Sequence, residues 1–397
     1  MTIRFERILA GVLAIYSLTK IGTRWRDPKP FRLFTCFFGI AFLSALLSPY
    51  SDSTGAQYWI ENYWKLWLLF IFIVLSLRTK EDVYLVMLGI SAITLGYQLL
   101  SWRDFLAGGS YVYQQGIKRM VGAWSGGGLG AANGFAFTAL FALPFCYCWF
   151  LRDRTPRRRA IMIGAAAVSI ASIIFSGTRG AILVGMAVAF GSILIYSPKR
   201  LRYLTLACMA AVACYLAAPE DIRNRYTSQL LPFASGDDNE DKSEEVASRS
   251  AEGRIEGLVD GYLLFLERPL FGWGPGTSAI ARLELDKENV RETELQLHSL
   301  YGQVLAETGL CGTVLFAWLN WYLIAALVRT MRDSTGMSRS LAIILLTVFA
   351  INLLYGFVSH TLFRDYWIFL FGLSTVLISE QRCEFGDDDL LVEVVEG

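Results

Sequence analysis

Histidine is almost missing from this sequence: His298 and His360 are its only two among 397 residues. With so few imidazoles and no Cys-x-x-Cys pair, the chain offers no ligand set for a zinc or haem centre. Its seven cysteines (Cys36, Cys146, Cys148, Cys208, Cys214, Cys311 and Cys383) are odd in number. All but Cys383 lie in or beside apolar segments, so they read as small core residues and not as a disulfide framework. An excess of either charge is missing too, since 36 Lys and Arg face 35 Asp and Glu for a net charge of +1. The basic residues sit in short loops beside apolar runs, where they set membrane orientation, which leaves nucleic acid without support as a partner. No internal repeat is visible, and ionisable residues are scarce within the apolar runs. Both absences count against a transporter or flippase built from matching halves. No small-residue cleavage site follows the first apolar run, so no cleavable signal is expected.

Long hydrophobic runs are abundant. The chain is 54% hydrophobic and 14% aromatic, with a mean hydropathy of +0.43. Runs of about 17 to 25 apolar residues suffice to cross a bilayer as helices, and about eleven such runs occur. They fall near 5–20, 31–48, 57–77, 83–101, 132–151, 160–175, 180–196, 203–218, 298–328, 340–358 and 366–380. The expected fold is therefore an all-α polytopic integral membrane protein: a bundle of about 11–12 transmembrane helices with one large extracytoplasmic loop carrying short amphipathic helices. Residues 1–218 supply the N-terminal spans, 219–297 the large loop, 298–380 the C-terminal spans and 381–397 an acidic cytoplasmic tail. The basic clusters Lys20–Arg32, Arg152–Arg159, Lys199–Arg202 and Arg329–Arg339 mark the cytoplasmic side. Eleven spans would put the amino terminus outside, and a first segment lying in the interface would restore the other parity.

The functional candidates concentrate between Arg249 and Gly312. Apolar residues at 255, 258, 259, 262, 265 and 266 follow helical spacing while Glu256, Asp260 and Glu267 take another face. This predicts an amphipathic helix that lies on a surface, ends at Arg268-Pro269 and runs into the turn Phe271-Gly272-Trp273-Gly274-Pro275-Gly276. Glycines there would let backbone amides approach a ligand, or the helix and turn could simply close the end of a bundle. His298 follows at the mouth of an apolar span, where a titratable group is a functional candidate. Topology puts Arg179, Arg254 and His298 on the same side of the membrane. A guanidinium offers a planar fork that holds phosphate oxygens bidentately, and an imidazole can take a proton from an attacking hydroxyl near neutral pH. Lys65 stands in an aromatic belt with Tyr63, Trp64 and Trp67, where it snorkels to headgroups or meets a lipid phosphate. The acidic run Asp237, Asp238, Glu240 and Asp241 reads as a solvated loop in preference to a metal site, because nothing flanking it fixes its geometry.

Several of these pieces together resemble one family. Ser176-Gly177-Thr178-Arg179-Gly180 resembles the Ser-x-Ser-Arg-Gly turn of the O-antigen ligase and polymerase family. Gly253-Arg254 followed by Pro269-Leu270-Phe271-Gly272-Trp273-Gly274 resembles its loop arginine and Pro-Leu-x-Gly-x-Gly turn. His298-Ser299-Leu300-Tyr301 through Glu307-Thr308-Gly309-Leu310-Cys311-Gly312 resembles its His-Asn-x-aromatic and Glu-x-Gly-x-x-Gly block. Arg119, Gly122 and Asn133 are similar to its earlier Arg-x-x-Gly and Asn positions. Ser299 departs from the family asparagine and Thr178 from the second serine, each keeping a hydroxyl. The resemblance implies a metal-independent glycosyltransferase of the bacterial inner membrane with its active face in the periplasm. It would pass glycan from an undecaprenyl-diphosphate-linked donor to a hydroxyl of a glycan or lipid A core acceptor, among membrane lipids and without cofactor. Residues matching Arg179 and Arg254 would hold the diphosphate, with Lys65 and Arg119 as further donor contacts, and the one matching His298 would be the catalytic base. A lipid-linked glycan flippase and a non-catalytic envelope scaffold are the competing classes.

Overall fold

The computed structural model describes residues 28–114, 117–124, 130–217, 223, 241–285 and 296–395. The expected first span near 5–20 and the acidic run from Asp237 to Glu240 lie outside them. Among the described residues, eight helices are long and apolar enough to cross a membrane, so the chain is a multi-pass, largely helical membrane protein.

The helices fall into two compact units. One takes the chain up to Leu85, then Arg254–Phe349 and the chain from Gly356; the other takes Val86–Gly253 and Ala350–Tyr355. The first unit opens with α1 (Pro28–Leu46), α2 (Thr54–Asn62) and α3 (Trp64–Ser76). The run near 57–77, expected as one span, holds the end of α2 and all of α3, joined at Tyr63 with helical backbone, and Trp59–Ser76 is long and apolar enough to cross a membrane. At the join, Trp59 and Tyr63 both meet Phe363 edge-on, with ring centroids 5.5 and 5.0 Å away. The next helix, α4 (Lys80–Leu106), begins in this unit and continues into the other.

In the second unit α4 is followed by a hairpin of β1 (Tyr111–Gln114) and β2 (Ile117–Met120), paired antiparallel with Tyr111 opposite Met120. The sequence announces no strand here; alternation of Ile117, Arg119 and their neighbours over two short strands is too brief to register as a period. The apolar run at 132–151 is divided into α5 (Ala132–Ala142), a 3-10 turn at Leu143–Tyr147 that carries Pro144, and α6 (Cys148–Leu151). α7 (Pro156–Phe175), α8 (Arg179–Tyr196) and α9 (Arg200–Ala217) complete the series. Polar side chains tie α4 to α7 through the apolar interior: the Trp102 indole donates to Ser172 at 3.0 Å, and Ser169 donates to Gln98 at 3.0 Å. Such bonds hold helices together where surrounding lipid gives no hydrophobic drive.

The first unit resumes with α10 (Asp241–Glu267), which ends where expected, before Pro269, and α11 (Ser278–Leu285). α12 (Leu300–Asp333), α13 (Gly336–Tyr355) and α14 (Asp365–Val395) follow. α12 packs along α1, and Phe316 on it meets Trp367 of α14 with ring centroids 5.3 Å apart.

α12 is not continuous. Gly309 within it has φ 60° and ψ −162°, which interrupts the ladder of i→i−4 hydrogen bonds. Backbone from the turn after α10 fills the gap. Trp273 N donates to Ala306 O (2.8 Å) and Gly274 N to Glu307 O (3.1 Å), while Leu310 N donates to Pro269 O (2.7 Å) and Cys311 N to Leu270 O (3.2 Å). Contact is so close that a Cβ on Gly309 would lie 2.5 Å from the Leu270 oxygen, and one on Gly272 would lie 2.5 Å from the Ala306 oxygen. Only glycine serves at either place.

Gly309→Ala should therefore lower stability by about 1–3 kcal/mol, from left-handed strain plus the clash. Gly89→Ala, where an added Cβ meets nothing within 4 Å, is the control. Thermal unfolding of both variants in lipid nanodiscs checks this, and equal midpoints would contradict it.

Candidate functional site

The interlock at Gly309 positions a polar cluster in the first unit. Glu307 is buried just before the break, accepting from the Ser278 hydroxyl at 2.7 Å and from the Gln303 amide at 3.2 Å. Gln303 in turn accepts from the backbone N–H of Leu362 at 3.3 Å. On the other side, the Ser44 hydroxyl of α1 donates to the Glu307 carbonyl at 2.7 Å and sits against that of Phe271. One carboxylate thus fastens α11, α12 and the segment leading into α14. Sequence reading passed over this role, although Gln303 and Glu307, spaced i,i+4 in an apolar run, were a visible signal.

At the start of α12 stands His298. Ser299 is the N-cap and accepts from Gly302 N at 3.3 Å, so its hydroxyl has a defined task. Leu300 N donates to Gly356 O at 2.7 Å, drawing the segment before α14 against the cap. His298 has φ 48°, a left-handed conformation uncommon for a residue with a Cβ, and its side chain is exposed. That backbone turns its ring to His360, with centroids 5.3 Å apart. The chain's only two imidazoles, distant in sequence, are neighbours. His360 is half-buried, and its Nδ1 is closed off from solvent without a hydrogen-bond partner among the described residues. Burial first, then the nearby His298 ring and Arg364 guanidinium, hold its pKa down at about 4. It is therefore neutral wherever a histidine normally titrates.

The second unit builds around the turn Ser176-Gly177-Thr178 that launches α8 at Arg179. Arg119 of β2 is buried beneath it. Its Nε donates to Ser176 O at 2.8 Å, one Nη to the Gln114 amide oxygen at 2.9 Å, and the other Nη to Asn133 Oδ1 at 2.7 Å and Thr178 Oγ1 at 3.1 Å. The threonine hydroxyl also takes a bond from Ser176 Oγ at 3.0 Å, so threonine does what a serine would do here. Arg119 holds the turn that carries Arg179, and the hairpin exists to bring it there. Arg179 itself is partly buried at the first position of α8.

The remaining sequence candidates are placed as follows. Arg254 lies on α10, with its side chain outside the described residues. Lys65 lies near the start of α3, exposed, with its ammonium 6.0 Å from the Trp64 ring centroid. The glycine turn does not offer the amides expected of it: those of Gly272, Trp273 and Gly274 are all taken by carbonyls, Arg268 O, Ala306 O and Glu307 O respectively. Its tryptophan is fixed too, the indole donating to Leu264 O at 2.9 Å while the Arg268 guanidinium lies 4.8 Å over the ring.

α10 packs on its own unit through its small residues. It packs through Gly257, Gly261 and Leu264: a Cβ on Gly257 would lie 1.6 Å from the Leu297 oxygen, and one on Gly261 2.5 Å from the Gly302 Cα. Glu256 and Asp260 turn toward the buried Arg282 of α11, which bonds Asp260 and lies 3.5 Å from Glu256. The apolar stripe read from the sequence faces outward.

Residues 164–317 match the family model described as O-antigen ligase. No curated protein matches the chain.

The low pKa of His360 has a consequence for acid stability. The unfolded ring binds a proton near pH 6.5 while the folded one resists to about 4. Between those values the unfolded state holds more protons, so the fold loses stability as pH falls from 6.5 toward 4. His360→Gln should reduce that loss, read as a smaller drop in thermal midpoint between pH 7 and pH 5. An unchanged drop would contradict the burial of a neutral ring.

Proposed function

From a chain with an O-antigen ligase family domain and a multi-pass helical architecture, we propose transfer of a glycan from a lipid-diphosphate donor, of the undecaprenyl type, to an acceptor hydroxyl at the periplasmic face of the bacterial inner membrane. The match to the O-antigen ligase family model supports a glycosyltransferase-like activity; donor, acceptor, membrane face and metal independence are this reading's own.

The observation that carries it is the placement of His298: an exposed imidazole in a left-handed conformation at the capped end of a membrane-spanning helix. In the proposed step the acceptor oxygen attacks the anomeric carbon, the bond from that carbon to the diphosphate oxygen breaks, and the lipid diphosphate leaves with the bonding pair. His298 takes the proton of the attacking hydroxyl. Arg179 and Arg254 hold the diphosphate with their guanidinium forks and stabilise the charge that grows on it. Arg119, expected as a donor contact, acts in this reading through the turn it supports, and Lys65 meets a lipid phosphate. Metal has no part in the scheme, because two permanent cations supply the charge a metal would bring. Lipid A core ligation and chain polymerisation share this donor chemistry, and either acceptor fits it.

A base governs rate more than donor binding. His298→Ala should cut turnover by about 10²- to 10⁴-fold with donor affinity little changed, and the wild-type rate should rise with pH through the histidine titration. A variant that binds donor poorly but turns over normally at saturation would overturn the assignment.

The arginines should show the opposite split. Alanine at either position should weaken donor binding strongly, and lysine should rescue only in part because it lacks the fork. Full donor affinity with lysine at both positions would contradict bidentate holding.

A further inference from the structure

α10 has three faces, and one of them has nothing against it among the described residues. Gly257, Gly261 and Leu264 pack on Leu297 and Gly302, and Glu256 and Asp260 are engaged by Arg282. The third face presents Ile255 (66% exposed), Val259, Tyr262 and Leu266 (54% exposed) at helical spacing, and Leu270 continues it into the following turn. So large a contiguous apolar surface marks an interaction site.

Its continuation says what covers it. Leu270 is bonded through its carbonyl to Cys311 N, and its neighbour Pro269 to Leu310 N, so the row passes onto α12. There Leu310, Val314, Trp318 and Trp321 form a second exposed row at i, i+4, i+8 and i+11. That row lies on a helix long and apolar enough to cross the membrane, where exposed apolar side chains face lipid. The two rows make one surface. Of the three acidic residues between Ile255 and Leu270, Glu256 and Asp260 are turned to Arg282, and Glu267 stands at the end of the helix. At its far end Arg268 covers the Trp273 ring and donates to Leu47 O at 3.3 Å, keeping its charge at the edge of the apolar zone.

We propose that the Ile255–Leu270 face is seated in the acyl region of one leaflet, so that this part of α10 is an in-plane membrane helix and not an aqueous lid. The occupant is the bilayer itself. The proposal rests on the membrane-spanning architecture and stands whether or not glycan transfer is correct. Under the transfer reading it has a consequence: Gly257 touches Leu297, next to His298, so the helix holds that imidazole at headgroup depth. A lipid-anchored substrate then reaches it without withdrawing its chains from the bilayer.

The test places the photoreactive residue p-benzoylphenylalanine at Val259 or Leu266 of the full-length protein, reconstituted in phosphatidylethanolamine/phosphatidylglycerol vesicles. Mass spectrometry after irradiation identifies what is captured. Phospholipid adducts at both sites, in yields within about threefold of the same probe at Val314, are expected for a face in the acyl region. A second copy of the chain captured at 259 or 266, capture of the chain's own segments only, or no adduct while Val314 yields lipid would each overturn the proposal. Circular dichroism of each labelled protein establishes that it is folded. Because no activity is read, a failure here is distinct from a failure of the transfer reaction.

Discussion

Four backbone hydrogen bonds at the break in α12 are the constraint on which the first unit depends. A helix interrupted inside a membrane exposes N–H and C=O groups that lipid cannot satisfy, each at a cost of several kcal/mol. Here the turn Pro269–Gly274 supplies two donors and two acceptors in place of the missing turn of helix. Because the exchange is reciprocal, neither α12 nor the turn after α10 can move alone. The polar cluster follows from this: Glu307 next to the break reaches Ser278 and Gln303, and Gln303 reaches Leu362, which places the His360 segment against the start of α12.

The second unit solves a comparable problem with a side chain. A tight turn between α7 and α8 leaves carbonyls and hydroxyls in a buried place, and the Arg119 guanidinium bonds Ser176 O and Thr178 Oγ1 there while tying them to Asn133. A rigid turn gives Arg179 a fixed point of departure. In both units, then, the short motifs are explained first by backbone satisfaction in an apolar setting, with the exposed His298 or the partly buried Arg179 mounted beside the fastening.

Much of this architecture was legible in sequence because long apolar runs have few alternatives. The helices at 80–106, 156–175, 179–196 and 336–355 lie close to where hydropathy puts them. The runs at 57–77 and 132–151 also hold as spans, but the 3-10 turn at Leu143–Tyr147 was not legible, since apolarity alone does not reveal a local change of helix type. The stripe of α10 at 255, 258, 259, 262, 265 and 266 was read as lying on a surface, but what it meets was not legible, because its period is the same whether it faces protein or lipid. Gly257 and Gly261, which read as unremarkable, mark the packed side. Within the site, His298, Arg119 and Arg179 could be singled out, but the proximity of His360 and the burial of Arg119 depend on tertiary neighbours that no spacing reveals. Of the two readings of the turn's glycines, approach to a ligand or closure of the bundle's end, the packing agrees with the second: their near neighbour is α12.

The claim most in need of direct measurement is that the chain breaks the bond between a glycan and a lipid diphosphate. Purified protein in vesicles, given a defined undecaprenyl-diphosphate-linked glycan and a hydroxyl acceptor, should release free undecaprenyl diphosphate and form the acceptor-linked glycan in equal amounts. Passage of intact donor from one leaflet to the other with no release of free lipid diphosphate would contradict the account and identify a transporter instead.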